Sequence, residues 1–168
     1  MPNIWITSDT HFGHENIIKY CDRPFSCAKE MDEKIRDNWN SIVKPQDKVY
    51  HLGDVYFNGS YKESPEYWTE FFRSLNGKKR LILGNHDNGK DQVLQKSFQE
   101  IYMWRAFGEK RLLLTHVPIH QSSIVERWCD LNVHGHIHNT DSPEGPYKNV
   151  CVERTNYTPI NIEDLLDA

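Results

Sequence analysis

The feature that most constrains this chain is a series of short apolar segments, each followed at once by glycine, aspartate or histidine. Ile4, Trp5 and Ile6 form the first segment, and their character predicts a buried strand. Further strands are predicted at residues 48–52, 80–83, 98–104, 110–115 and 131–133, after which the chain returns through residues 147–153. The polar clusters that follow strands are Asp9-x-His11, Gly53-Asp54, Gly84-Asn85-His86-Asp87, His116 and Gly135-His136-x-His138. Because ligands bind at the carboxyl ends of strands in open α/β sheets, these clusters are expected to converge.

Helical periodicity appears between the early strands. Four apolar residues at helical spacing predict a helix over 28–43, namely Met31, Ile35, Trp39 and Ile42. A second predicted helix begins at Ser64-Pro65 and ends at Asn76-Gly77, and a short one covers 162–166. Strands that alternate with helices early and then follow one another indicate an α/β layered fold with mixed sheets.

Length and composition favour one soluble domain over 1–168, since single cores split only beyond about 250 residues. No apolar run approaches the ~20 residues of a membrane span, and the N-terminus lacks a basic signal-peptide region, so we expect a cytoplasmic protein without a membrane partner. Four cysteines without C-x-x-C spacing agree with a reducing compartment. The net charge of -4 gives no general attraction to nucleic acid, so phosphate binding must be local. The sequence does not indicate an oligomeric state.

The polar clusters together offer three carboxylates, one amide oxygen and five imidazoles, a donor set that suits divalent ions. Each cluster alone has an ordinary explanation. Gly53-Asp54 is a common turn sequence, and Gly84-Asn85-His86-Asp87 could be a turn before a helix that Asp91 caps. The occurrence of all the clusters in one chain, each after a predicted strand, favours a metal centre.

The ordered series of clusters resembles the calcineurin-like metallophosphoesterase superfamily. A closer likeness, to small uncapped phosphoesterases of bacteria and phages, covers residues 8–18, 23–25, 38–40 and 51–55. The resemblance implies a four-layered α/β/β/α sandwich with two mixed sheets and a dinuclear metal site at the strand ends. Mn²⁺ is the ion expected there, with Fe, Ni or Zn as alternatives.

The resemblance also implies a role for each matching residue. The first ion would be held by Asp9, His11, Asp54 and His138, with Asp54 bridging to the second ion. The second ion's ligands would be completed by Asn85, His116 and His136. Within the catalytic block of Asn85, His86 and Asp87, His86 would sit over the substrate phosphate and Asp87 would orient its ring.

Two divalent ions would carry a charge of +4, of which Asp9 and Asp54 would neutralise two units. The site would therefore be positive and attract phosphate, although the protein as a whole is acidic. A water that bridges two ions about 3.5–4 Å apart is acidified to a hydroxide nucleophile. This predicts a metal-dependent phosphoric ester hydrolase, with a phosphodiester of a nucleotide or nucleic acid as the favoured substrate. A phosphomonoesterase acting on a nucleotide or small metabolite is the alternative, and a non-catalytic scaffold with the same fold is the third possibility.

Residues beyond the ligand set bear on the substrate. The superfamily's protein phosphatases place an arginine directly after the bridging aspartate, whereas this chain has Val55 there, which argues against a phosphoprotein substrate. His14 and Tyr56 are expected to contact substrate, and Tyr56 with Phe57 could stack a base. His51, His120 and His134 are weaker candidates for supporting roles. Arg23 and Arg127 are expected to be solvated surface arginines.

Overall fold

A computed structural model describes residues 1–59, 62–124 and 129–167. Within these residues nine strands form two mixed sheets, and the expectation of two mixed sheets is confirmed. They are β1 (Ile4–Thr7), β2 (Lys48–His51), β3 (Lys78–Ile82), β4 (Glu100–Tyr102), β5 (Arg105–Phe107), β6 (Leu112–Thr115), β7 (Leu131–His134), β8 (Tyr147–Asn149) and β9 (Ile160–Asn161). The first sheet has the order β4-β3-β2-β1-β9 and the second the order β5-β6-β7-β8. Only the edge strands β9 and β5 pair antiparallel with their neighbours.

Four α-helices precede the second sheet along the chain, and their apolar faces share one core with the first sheet. They are α1 (Glu15–Tyr20), α2 (Ala28–Ile42), α3 (Pro65–Arg73) and α4 (Gln92–Ser97). The Ser64 hydroxyl accepts a hydrogen bond from the Tyr67 N–H at the start of α3, and the Asp91 carboxylate accepts one from the Val93 N–H at the start of α4. Both caps satisfy an amide that the helix itself leaves unpaired.

The alternation of side chains along the strands divides the interior into two cores. On β2, Val49 packs with the helices, whereas Tyr50 packs between the two sheets. On β3, Leu81 and Ile82 divide in the same way. This alternation fixes the register of both strands, because a shift of one residue would exchange the two faces. The carboxyl ends of the parallel strands are thereby aligned along one edge.

The outer face of the second sheet carries a smaller apolar cluster in which Leu113, Ile124 and Cys129 are buried. The covering segment contains a single 3₁₀ turn, Gln121–Ser123, within the part of the chain that the structure describes. Two further 3₁₀ turns, Val152–Arg154 and Ile162–Leu165, follow β8. The helix predicted over 162–166 is therefore the second of these turns. The returning stretch over 147–153 contains β8 and the first of the turns.

The remaining differences from the sequence prediction concern short elements. The segment predicted as a strand over 98–104 contains β4, and β5 follows as a separate strand that the sequence analysis did not predict. Helix α1 was also not predicted. All four cysteines are free. No helix in the described ranges is both long and apolar enough to cross a lipid bilayer.

Candidate metal centre

The predicted metal ligands follow five strands from both sheets. Asp9, Asp54 and Asn85 follow β1, β2 and β3, while His116 and His136 follow β6 and β7. The first two loops are joined by backbone hydrogen bonds, since the Asp9 N–H donates to Gly53 and the His11 N–H donates to Asp54, at 3.0 and 3.1 Å. The structure thus brings both sheets to one edge, where all seven predicted ligands lie.

Five of these seven residues have left-handed backbone conformations that side chains other than glycine rarely adopt. Their φ angles are +56° at Asp9, +50° at His11, +55° at Asp54, +72° at His136 and +50° at His138. Such a conformation costs about 1–3 kcal/mol per residue and persists only where the surrounding structure fixes it. The concentration of this strain at one edge marks the loops as a functional site.

Asp9, His11 and His138 form the first set of donors, which we call the Asp9 group. The Asp9 Oδ1 atom lies 3.9 Å from His11 Nε2 and 3.8 Å from His138 Nε2. Asp9 Oδ1 and His11 Nε2 are both buried and lack a hydrogen-bond partner. The other Asp9 oxygen, Oδ2, accepts hydrogen bonds from the Ser8 hydroxyl and the His136 N–H. One carboxylate oxygen is therefore fully used, while the other is held toward two imidazole nitrogens.

Asp54, His116, His136 and Asn85 form the second set, the Asp54 group. The Asn85 Oδ1 atom lies 2.8 Å from His116 Nε2 and 3.0 Å from His136 Nδ1. The two imidazole nitrogens are 3.2 Å apart. The His116 Nδ1 donates to the Leu52 carbonyl at 2.7 Å, which directs the lone pair of Nε2 into the group.

Asp54 connects the two groups. Its Oδ2 atom lies 3.7 Å from His11 Nε2 and 3.4 Å from His116 Nε2, while Oδ1 accepts a hydrogen bond from the His86 N–H. Ion–ligand bonds of about 2.0–2.2 Å place two donors of one ion roughly 3–4 Å apart. The spacings of the Asp9 group fit that range, and those of the Asp54 group begin just below it at 2.8 Å. The buried Asp9 Oδ1 and His11 Nε2 lack a hydrogen-bond partner within the residues that the structure describes. The residues present therefore fit two divalent ions that share Asp54.

Two glycines make the close approach of these loops possible. A Cβ atom on Gly84 would lie 2.2 Å from Asp54 Oδ1, and one on Gly135 would lie 2.2 Å from Asp9 Oδ2. Any side chain at either position would displace a carboxylate that belongs to the centre. The glycine of each motif is thus a steric requirement of the site.

A buried layer of side chains supports the Asp9 group from behind. Glu153 Oε1 lies 2.8 Å from His138 Nδ1, so that carboxylate orients the ring and directs Nε2 toward Asp9. Arg23 donates to the same Glu153 oxygen and to the backbone carbonyls of Asp9 and Thr10. Arg23 is 3% exposed, so the expectation of a solvated surface arginine is wrong. Its planar guanidinium joins two backbone carbonyls of the Asp9 loop to the carboxylate that also binds His138.

Charge and burial set the pKa values within the centre. Burial alone would raise the pKa of Asp9, but His11, His116 and Ser8 hold it well below its usual range. Burial alone would lower the pKa of His138, whereas hydrogen bonds with Cys21 and Glu153 raise it to about 10. In both groups the polar neighbours favour the charged form more strongly than burial opposes it.

His86 and Asp87 lie in the loop after β3 and differ in burial and contacts. The His86 side chain is exposed, and its ring centroid lies 6.0 Å from that of His11. The Asp87 carboxylate accepts hydrogen bonds from the N–H groups of Asp54, Val55 and Gly84, at 2.8–3.0 Å. Orientation of the His86 ring by Asp87 is therefore not supported, because those backbone amides occupy both carboxylate oxygens. Asp87 instead ties together the loops that follow β2 and β3.

The two predicted substrate contacts differ in position. His14 Nδ1 lies 3.3 Å from His11 Nδ1, and the His14 ring packs against Phe57 with centroids 4.8 Å apart. Burial and the neighbouring His11 lower the pKa of His14 to about 4. Tyr56, in contrast, donates its hydroxyl hydrogen to Asp91 at 2.6 Å, and its ring packs against the buried Trp68. The Tyr56 ring is only partly buried and also lines a small cavity with Phe57 and His86, so base stacking by Tyr56 stays a prediction.

The remaining histidines lie outside the two groups. His51 is buried and bonds the Thr10 hydroxyl, and His134 is buried and bonds Ser142. His134 therefore does not share the side of the strand end that His136 occupies. His120 is exposed and caps the 3₁₀ turn at Gln121–Ser123. Arg127 falls outside the residues that the structure describes.

The sequence profile of the calcineurin-like phosphoesterase family matches residues 2–110. An uncharacterized protein of Methanocaldococcus jannaschii is 35% identical over 170 residues, which cover 97% of this chain and 89% of that protein. The gene 66 protein of Mycobacterium phage L5 is 37% identical over 87 residues, covering 52% of this chain and 41% of the phage protein. The crystal structure of a protein of unknown function from Aquifex aeolicus superposes with a TM-score of 0.77 at 32% identity, and the match covers 98% of each chain. The chain therefore belongs to the calcineurin-like phosphoesterase family.

Proposed function

We propose that this protein is a dinuclear-metal-dependent phosphoesterase that prefers phosphodiesters of nucleotides or nucleic acid. The observation that carries the proposal is the buried, unpartnered pair Asp9 Oδ1 and His11 Nε2, 3.9 Å apart, next to the shared carboxylate of Asp54. An unsatisfied polar atom in a protein interior costs free energy, so such a pair is expected where a ligand completes it. The family is typically metal-dependent and hydrolytic, which supports the same assignment.

The seven ligands would hold two divalent ions, with Asp54 contributing to both. Bound ions supply Lewis-acid stabilisation of the phosphoryl oxygens and acidify a water molecule for attack. The mixture of imidazole, carboxylate and amide donors suits Mn²⁺, and also Fe, Ni or Zn. Fixed partners behind the ligands, such as Leu52 behind His116 and Glu153 behind His138, keep each imidazole in the tautomer that can bind an ion.

His86 is the residue best placed to handle a proton at the substrate. Its backbone is fixed by the hydrogen bond from its N–H to Asp54 Oδ1 at 3.0 Å, while its imidazole is exposed beside His11. A protonated His86 can donate to the leaving oxygen or to a phosphoryl oxygen, a contribution of about 10²–10⁴-fold. His14, which packs against Phe57, forms the rim on the other side of His11.

The preference for a diester follows from the charges around the centre. Arg23 hydrogen-bonds ligand residues only through the backbone carbonyl of Asp9, and its guanidinium is paired with Glu153. A monoester dianion gains more from additional cationic donors than a diester monoanion does. With Arg23 turned away from the rim, the centre is better matched to the singly charged diester.

The test is hydrolysis of bis(p-nitrophenyl) phosphate and p-nitrophenyl phosphate by chelator-stripped protein, before and after addition of Mn²⁺. We expect hydrolysis only with Mn²⁺ and a higher kcat/KM for the diester. His86→Ala should keep the bound metal and lose about 10²–10⁴-fold in kcat. His120→Ala is the matched control, since it removes an exposed histidine outside both groups and should leave the rate unchanged.

Each contrary result has a distinct meaning. A higher kcat/KM for the monoester would replace the diesterase by a phosphomonoesterase. Hydrolysis of neither ester by protein with two bound ions would contradict the enzymatic assignment and favour a scaffold. Full activity of His86→Ala at unchanged metal content would remove His86 from the mechanism.

A further inference from the structure

A third group of metal-binding side chains lies behind the Asp9 group. Cys21, His138 and Glu153 each offer one ligand atom, and these three atoms lie within 4.8 Å of one another. Cys21 follows the last residue of α1, where its N–H donates to the Ile17 carbonyl at 3.0 Å. Cys21 and Glu153 are not among the seven ligands of the proposed dinuclear centre. We call this cluster the Cys21 group.

The carboxylate of the Cys21 group has one oxygen without a partner. Oε1 of Glu153 binds His138 Nδ1 at 2.8 Å and the Arg23 guanidinium at 2.8 and 3.0 Å. Oε2 is buried and has no hydrogen-bond partner in the described part of the chain, and the Glu153 side chain is only 4% exposed. A buried oxygen without a donor is costly, so its occurrence on a carboxylate beside a thiol and an imidazole indicates a bound cation.

The ligand atoms of the Cys21 group suit a thiophilic ion. Zinc binds sulfur, imidazole nitrogen and carboxylate oxygen at about 2.0–2.3 Å, which places its ligand atoms roughly 3–4 Å apart. A thiolate favours Zn²⁺ over Mn²⁺, which prefers oxygen ligands. Arg23 adds one positive charge beside the group, whereas the Cys21 thiolate and the Glu153 carboxylate add two negative charges. The surroundings therefore attract a divalent cation once the thiol has lost its proton.

His138 belongs to the Asp9 group and to the Cys21 group through different ring nitrogens. Its Nε2 lies 3.8 Å from Asp9 Oδ1, and its Nδ1 lies 2.8 Å from Glu153 Oε1. A neutral imidazole has one nitrogen lone pair and one N–H. When Nδ1 binds an ion, the ring proton is therefore carried by Nε2, which can no longer bind an ion in the Asp9 group. The thiol proton of Cys21 passes to water in the same step.

We propose that the Cys21 group is a third metal site, for a thiophilic divalent ion such as Zn²⁺, and that its occupation excludes the ion of the Asp9 group. Zn²⁺ bound there inhibits the enzyme, because His138 is withdrawn from the dinuclear centre. The exclusion rests on the proposed function, since it requires an ion on His138 Nε2. The binding of a thiophilic ion by Cys21 does not depend on that function.

The test uses Cd²⁺, which is thiophilic and gives an ultraviolet charge-transfer band when it binds a thiolate. Titration of reduced, metal-free protein with Cd²⁺ should produce this band with one ion bound to Cys21. The titration is then repeated with Mn²⁺ at a hundred times its Kd for the Asp9 group. The apparent Kd for Cd²⁺ should rise about a hundredfold, because the two ions compete for His138.

Two matched variants identify the sulfur ligand. Cys21→Ser changes one atom and should abolish the band, while Mn²⁺ still binds. Cys27→Ser makes the same change at an exposed cysteine and should keep both the band and the competition with Mn²⁺. Since each variant exchanges only sulfur for oxygen, unfolding curves should show both proteins folded.

Several results would overturn the proposal. Absence of the band in the wild type, or a band that survives Cys21→Ser, would exclude the Cys21 site and leave the proposed function standing. A Kd for Cd²⁺ that does not change while Mn²⁺ is bound would exclude the competition for His138, again without affecting the proposed function. Protein that forms the band but binds no Mn²⁺ would overturn the exclusion because the proposed function itself fails.

Discussion

The Asp9 group and the Asp54 group contain similar metal-binding atoms, but the distances between those atoms differ. In the Asp9 group, the carboxylate oxygen lies 3.8–3.9 Å from both imidazole nitrogens, and Asp9 Oδ1 and His11 Nε2 have no partner. In the Asp54 group, Asn85, His116 and His136 are already within 2.8–3.2 Å of one another. The metal-binding atoms of the Asp9 group are therefore held farther apart than those of the Asp54 group.

The difference has a structural cause. The Asp9 group is supported by the buried Arg23 and Glu153, and this layer prevents its donors from closing on one another. The Asp54 group includes the exposed Asn85, whose side chain is free to turn toward the two histidines. A preorganised site binds its ion without first moving its ligands apart. We therefore expect the Asp9 group to bind its ion more tightly than the Asp54 group does.

The largest expected effect comes from removing the ligand that both halves share. Asp54→Asn keeps the shape of the side chain but removes its charge, so the second ion should be lost and kcat for the diester should fall by about 10³-fold or more. Metal content by mass spectrometry and initial rates measure the two effects. Asp130→Asn, in an exposed ion pair with Arg111, is the control and should change neither. Two tightly bound ions in Asp54→Asn would show that the carboxylate is not shared.

A second substitution breaks the layer that holds the Asp9 group open. Arg23→Met leaves Glu153 without its buried cation and two backbone carbonyls without a donor, and should lower the unfolding free energy by about 3–5 kcal/mol. Urea unfolding of metal-free protein measures this value. Arg111→Met removes an exposed ion pair and should cost about 1 kcal/mol or less. Equal losses for the two variants would mean that the buried layer has no special role.

A milder substitution distinguishes the metal affinity of the Asp9 group from that of the Asp54 group. Glu153→Gln weakens the hydrogen bond that orients His138, so the affinity for the tighter ion should fall about 10–100-fold while that for the weaker ion stays unchanged. Calorimetric titration with Mn²⁺ resolves the two steps. Glu163→Gln, in an exposed pair with Lys110, is the matched control. A loss confined to the weaker ion would reverse the assignment of the two sites.

The smallest effect is expected at a buried aspartate with a purely structural role. Asp47 lies before β2 and accepts hydrogen bonds from the backbone N–H groups of Asn3 and Lys44 and from the Trp5 indole, at 2.9–3.0 Å. Asp47→Asn reverses the polarity at one of these contacts and should cost about 1–3 kcal/mol of stability with metal binding unchanged. Unfolding curves and metal titrations of Asp47→Asn test whether Asp47, unlike Asp9, contributes to stability without binding metal.

The pH dependence of the same variant gives an independent check. Burial alone would raise the pKa of Asp47, but the donors from Lys44, Trp5 and Asn3 hold it below its usual value. Because the folded-state pKa is the lower one, the unfolded chain binds the extra proton first as pH falls, and stability is lost through this acid window. The stabilisation that the charged Asp47 carboxylate provides is complete above the ordinary aspartate pKa. The stability difference between the wild type and Asp47→Asn should therefore shrink on acidification, and a difference that grows would contradict this sign.

Much of this fold follows from patterns that short stretches of sequence contain. Apolar runs predict β1 and β6, helical spacing predicts α2, and the Ser64-Pro65 start of α3 is confirmed. Helix α1 and strand β5 have six and three residues, too few for a period to show. Their positions depend on packing against elements that are distant in sequence.

The candidate site, like the fold, has some features that short sequence motifs predict and others that they do not. The seven predicted ligands stand in recognisable motifs, and the structure brings them together. Nothing in the sequence indicates that Glu153 supports His138 or that Arg23 is buried. Arg23 and Glu153 contact each other across 130 positions of sequence, so no local pattern links them. The left-handed conformations of Asp9 and Asp54 are equally hidden, since aspartate has no general preference that requires them. Such features depend on the completed tertiary structure.

The central claim is that two ions bind in two unequal halves joined by Asp54. A crystal structure of the protein grown with a limiting and then a saturating Mn²⁺ concentration, with anomalous scattering recorded at the manganese edge, tests it most directly. We expect one peak among Asp9, His11, His138 and Asp54 at the lower concentration, and a second among Asp54, Asn85, His116 and His136 at the higher one. A first peak in the Asp54 group, or a single peak beside Cys21 and Glu153 at saturation, would contradict the account.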